Sequence, residues 1–156
     1  MSKWRARALE LFPDMRTEVE SADSVGALWI ELIMRLQRHY DADEASRDDP
    51  NLFRSICVYA TWCKGADSPK TQEVAAIEFY LGLPRFALRS RDSVYKRFIQ
   101  DLIANLPFAQ IEEMGSSLQP GDLKRFLADV RQAEDERRRR SQKRSVKSTL
   151  PPMDFR

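Results

Sequence analysis

Apolar residues recur three and four positions apart through most of this chain, and the clearest run lies between Ser24 and Tyr40. Val25, Leu28, Trp29, Leu32, Ile33, Leu36 and Tyr40 share one helical face, with Glu31, Arg35 and Arg38 on the other. Ser24 is the expected N-cap. The stretch "DADEASRDD", residues 41–49, breaks the pattern. Asp49 and Pro50 then form the expected cap and first-turn pair of a helix that turns Leu52, Phe53, Ile56, Cys57 and Ala60 inward and ends at Gly65. Ser68 and Pro69 open the next, expected to bury Val74, Ile77 and Leu81 and to stop at Gly82 and Pro84.

Asp92 can cap a helix with Tyr95, Phe98, Ile99, Leu102 and Leu106 inward. Pro107 starts a short helix with Phe108, Ile111 and Met114 that ends near Gly115, and a final one carries Leu123, Phe126, Leu127 and Val130. "WRARALELF" makes a first short helix before Pro13. No segment alternates with period two, and no Asn-Gly or Asp-Gly hairpin signal is present. The expected fold is therefore all-α: an irregular bundle of six to seven helices with a long C-terminal helix and a flexible or docked tail from Ser145. Residues 1–133 are expected to form the bundle and residues 134–156 a charged helix extension and tail.

A length of 156 residues suits one domain with a proper core. Net charge is +2, unevenly spread: residues 134–156 hold eight Lys/Arg against four Asp/Glu, leaving 18 against 20 in residues 1–133. A mildly acidic body thus carries a basic end. Arginines interrupt the opening "MSKWRARALELF", which predicts no secretion signal, and "VGALWIELIMRL" is too short and too charged to span a bilayer. Cys57 and Cys63, six apart on one predicted helix, point about 240° apart and should not bridge. They read as reduced thiols of a cytoplasmic protein.

Candidate chemistry is sparse. Phosphate-cradling glycine loops and the G-x-S-x-G elbow are absent, and His39 is the only histidine. Two cysteines and one histidine do not fill a zinc site, and the Glu-x-x-His pairs of di-iron bundles are missing. Residues 41–49 fail as a calcium loop, with Ala45 at an oxygen-ligand position, Ser46 at the turn glycine and Leu52 at the bidentate glutamate. His39 reads as a helix-end residue beside the C-terminal dipole, and Cys63, next to Lys64, as a structural thiol. The chain is expected to be no enzyme and to need no cofactor or metal. Trp29 is expected in the core, whereas Trp62, Phe79 and Tyr80 are candidates to line a groove or interface.

Two charged surfaces remain. In "AEDERRRRSQKR" the pairs Glu134–Arg138, Asp135–Arg139 and Glu136–Arg140 stand at i, i+4 with the acid first, which supports a solvated helix end. The alternative is a nucleic-acid arm built of Arg137, Arg138, Arg139, Arg140, Lys143 and Arg144. In the 41–49 stretch, Asp41, Asp43, Glu44, Asp48 and Asp49 face a single Arg47. That reads as a solvated loop or as an acidic patch docking a basic protein surface.

The phrases "VYATWCKGADSPKTQEVAAIEFYLGLP" and "DLIANLPFAQIEEMGSSL", within a helical pattern from about Leu28 to Val130, resemble the small all-helical bacterial proteins that neutralise a cognate toxin. The resemblance implies a non-catalytic, stoichiometric protein-binding module of the immunity type. Its partner would be a basic protein surface, such as a toxin's, met by the five acidic residues of the 41–49 loop.

Overall fold

A computed structural model describes residues 1–42 and 49–149 of the chain. Among the described residues there is no strand, and no helix is long and apolar enough to cross a membrane. The elements are α1 (Lys3–Leu11), a 3-10 turn (Pro13–Met15), α2 (Arg16–Ser21), α3 (Val25–Asp41) and α4 (Leu52–Lys64). There follow α5 (Pro69–Ala75), a π turn (Ala76–Leu81), α6 (Gly82–Arg89), α7 (Asp92–Asn105), α8 (Phe108–Gly115) and α9 (Pro120–Thr149). The all-α class is as expected. The chain is divided more finely than six or seven helices because α2 and the π turn carry too short an apolar pattern to read.

Helix α3 forms where its apolar stripe lies. Val25, Leu28, Trp29, Leu32, Leu36 and Tyr40 are buried, and Ser24 Oγ accepts the Ala27 N–H at 3.1 Å. Around it α2, α4, α5, the π turn and α7 pack. Trp29 is fully buried, with ring centroids 5.5 Å from Tyr59 and 6.0 Å from Phe79. A second aromatic group joins Tyr40, Phe53 and Phe98 further along α3. Polar ties fix the outer helices: the Arg5 guanidinium donates to the Val19 and Ala22 carbonyls near the end of α2, and the Tyr59 hydroxyl donates to Trp4 O.

Three helix boundaries differ from expectation. Asp92, read as a cap, is the first residue of α7, and Arg91 stands at the N-cap with no side-chain capping bond. Helix α4 starts at Leu52, and the Asp49 carboxylate accepts the Asn51 N–H at 2.9 Å in the turn before it. Asp49 closes a local Asx turn instead of capping the helix. The run from Ser68 does not stop at Gly82 and Pro84. It widens into the π turn, where the Gly82 N–H reaches Ile77 O, and continues as α6. Pro84 falls in the first turn of α6, where a missing N–H is tolerated.

The π turn also decides which residues face inward. One extra residue per turn rotates the apolar stripe, so Phe79 and Tyr80 are buried while Ile77, expected inside, is exposed.

Helix α9 packs on α7 and α8 through Phe126, Val130 and Ala133. Gly115 permits that approach: a Cβ there would lie 3.0 Å from Leu123 Cδ1 and from Phe126 Cδ1. Gly115→Ala is expected to cost about 1 kcal/mol, at the low end for overpacking. Thermal unfolding of the variant checks this.

Candidate partner-binding surfaces

Chemistry at the thiols and the imidazole is muted by burial. Cys57 and Cys63 are free and buried. Burial pushes the Cys63 thiol up to about 11, against the opposing Tyr59 hydroxyl and Trp29 indole, and raises Cys57 further. Neither is a thiolate at neutral pH. His39 lies in the last turn of α3, half-buried; burial lowers its pKa while Asp101 opposes the shift. Asp101 itself is held above the usual carboxylate range by burial, although it accepts the Tyr40 hydroxyl at 2.6 Å. Among the described residues no group of three His, Cys, Asp or Glu is placed to hold a metal ion.

The expected acidic surface divides. Asp41 is exposed at the end of α3, and the Asp49 carboxylate is engaged by the Asn51 N–H. Asp43, Glu44 and Asp48 lie outside the described residues. The candidate aromatics divide as well. Trp62, stacked on Tyr59 at 5.9 Å, lines a groove of about 800 Å³ together with Trp4, Lys3 and Lys70. Phe79 and Tyr80 belong to the core, because the π turn rotates them inward.

One surface was not singled out by sequence reasoning. Ile30 and Met34 are 52% and 46% exposed, and Ile77 is 49% exposed. On α3, Gly26, Ile30, Met34, Gln37 and Asp41 follow one another at steps of four or three, so they form a single outward stripe. Val74 lies beside Gly26, and Phe79 against Trp29, so α3 packs along the 69–81 run. The available signal was that Ile30 and Met34, one turn apart, both fall off the inward face of α3.

The basic end is continuous helix. Backbone helicity persists through Thr149, so residues 145–149, expected in the tail, belong to α9. Pro151 and Pro152 are the first strong helix breakers in the sequence after Pro120. Side-chain burial ends at Ala133, and Arg137, Arg138, Arg139, Arg140, Lys143 and Arg144 are all exposed. The pairs Glu134–Arg138, Asp135–Arg139 and Glu136–Arg140 are not among the ion pairs of the described residues, which include Arg7–Glu10, Arg16–Glu20 and Lys64–Glu113. Glu136 instead meets Gln132, whose Nε2 donates to its carboxylate at 3.4 Å. Comparison with protein-family models, with curated proteins and with solved structures finds no match to this chain.

Proposed function

We propose that this chain is a non-catalytic protein-binding module whose partner lies along the outward stripe of α3. The observation that carries this reading is the exposure of Ile30 and Met34, one turn apart on the stripe of α3 that ends at the exposed Asp41. An apolar centre with a charged margin is the usual anatomy of a protein interface. Single exposed apolar residues need no explanation, but two that adjoin on one outward helix face call for one. The partner's surface would be apolar at its centre and basic at its edge. A toxin neutralised stoichiometrically, as the resemblance to immunity-type proteins implies, is one partner of that description.

The test is binding to the product of the gene next to this one, measured by calorimetry with purified proteins. Ile30→Asp and Met34→Asp should each weaken binding about 30-fold or more, the size of a hot-spot loss. Both residues are about half exposed and lie off the buried face of α3, so the melting temperature should stay within a few degrees of the parent's. Asp41→Lys should act mainly on the association rate and on its salt dependence. Unchanged affinity in both α3 variants would sink the proposal.

A further inference from the structure

Leu123, Phe126, Val130, Ala133, Arg137, Arg140 and Arg144 follow one another along α9 at alternating steps of three and four. They form one heptad stripe on one helix face. Its first half is docked: Phe126, Val130 and Ala133 are buried, and Leu123 packs against the core. Its second half is cationic and exposed. The stripe also steps over the acidic triplet. Relative to the stripe's cationic centre, Glu134 and Glu136 lie to either side and Asp135 nearly opposite, at 100° per residue. Their carboxylates therefore do not interrupt the line of guanidinium groups.

From this geometry we infer that the exposed half of the α9 stripe, Arg137, Arg140 and Arg144, is a binding site for the phosphodiester backbone of a nucleic-acid duplex. The three arginines span about 10 Å of helix axis. A duplex carries one charge per ~1.7 Å, so that length faces about six phosphates. Arginine suits the role because its planar fork can grip two phosphate oxygens at once. No aromatic residue stands between Arg137 and Thr149, so base stacking, on which single-strand binders rely, has no platform here. The docked half of the helix holds the stripe rigid relative to the bundle, which limits the entropy lost on binding. This site is independent of the α3 surface.

The experiment is fluorescence anisotropy of the full chain with a labelled 20-base-pair duplex, as DNA and as RNA, at 50 and 200 mM KCl. Three phosphate contacts give a log–log salt slope of about −2.7, an affinity loss of about 40-fold between those salts. The triple variant Arg137→Gln/Arg140→Gln/Arg144→Gln should lose most of that slope. Arg138→Gln/Arg139→Gln/Lys143→Gln removes the same charge off the stripe and should keep most of it. All six side chains are exposed, and circular dichroism checks that both variants stay folded. Binding to DNA, RNA or both supports the site and identifies its source. It is overturned if the full chain binds neither duplex at 50 mM, if both triple variants lose affinity equally, or if polyglutamate competes as well as unlabelled duplex. The last result would point to an acidic protein instead.

Discussion

Trp29→Ala is expected to cost about 3–5 kcal/mol, the usual range for deleting a buried aromatic. Trp29 is wholly enclosed, and its ring is shared by two neighbours on different elements, Tyr59 of α4 and Phe79 of the π turn. Tyr59 in turn meets Phe12, between α1 and the 3-10 turn, edge-on at 5.8 Å. Removing the indole thus opens a cavity where α3, α4 and the π turn converge. A domain of this size is stable by roughly 5–15 kcal/mol in total. The variant should therefore unfold at markedly lower denaturant concentration or fail to accumulate as folded protein. Leu36→Ala, on the same buried face of α3, separates a local effect from a general one. If Trp29→Ala leaves the denaturation midpoint within a few tenths molar of the parent while Leu36→Ala lowers it, the aromatic junction is not the keystone of the core.

Tyr40→Phe should cost about 1.5–3 kcal/mol at neutral pH, the range for a hydrogen bond to a charged group. The Tyr40 hydroxyl donates to Asp101 at 2.6 Å, tying the end of α3 to α7. Burial already holds the Asp101 pKa above 3.8, and the Tyr40 hydroxyl, with His39 and Arg97, works to lower it. A carboxyl whose folded pKa is raised favours the folded state fully below the unfolded value and loses that contribution as pH rises through the folded value. Removing the donor raises the folded pKa further. The deficit of the variant is therefore largest near pH 7 and shrinks as pH falls towards 4. His39 titrates with the opposite sense: its lowered pKa makes the fold less stable as pH falls below 6.5. That contribution is present in both proteins and largely cancels from the difference. Urea midpoints at pH 7 and pH 4.5 read the effect. A deficit that stays constant or grows on acidification would remove Asp101 as its cause.

Much of the bundle can be read from local pattern because helical periodicity and capping are local. The buried face of α3, the Ser24 and Ser68 caps and the docked stripe of α9 each follow from side chains within a few turns. The separation of Cys57 from Cys63 likewise follows from helix geometry alone, and both thiols are free. The candidate surfaces are less legible. Ile77 fits a helical stripe as well as Val74 does, and only the widened turn sends it outward while Phe79 packs on Trp29. Asp49 resembles a helix cap in sequence, yet its carboxylate closes the turn before Leu52.

In this chain, residue order by itself determined the helical class, most of the helix starts and the existence of a basic C-terminal segment. It also determined which residues share a face, since that needs only the 100° step of the helix. Tertiary structure alone decided which faces are covered. Coverage depends on what stands opposite: α9 packs on α7 and α8, and its stripe is apolar and buried as far as Ala133 but cationic and exposed from Arg137. Periodicity places Arg137 in line with Val130; only the tertiary packing buries Val130 and leaves Arg137 in water.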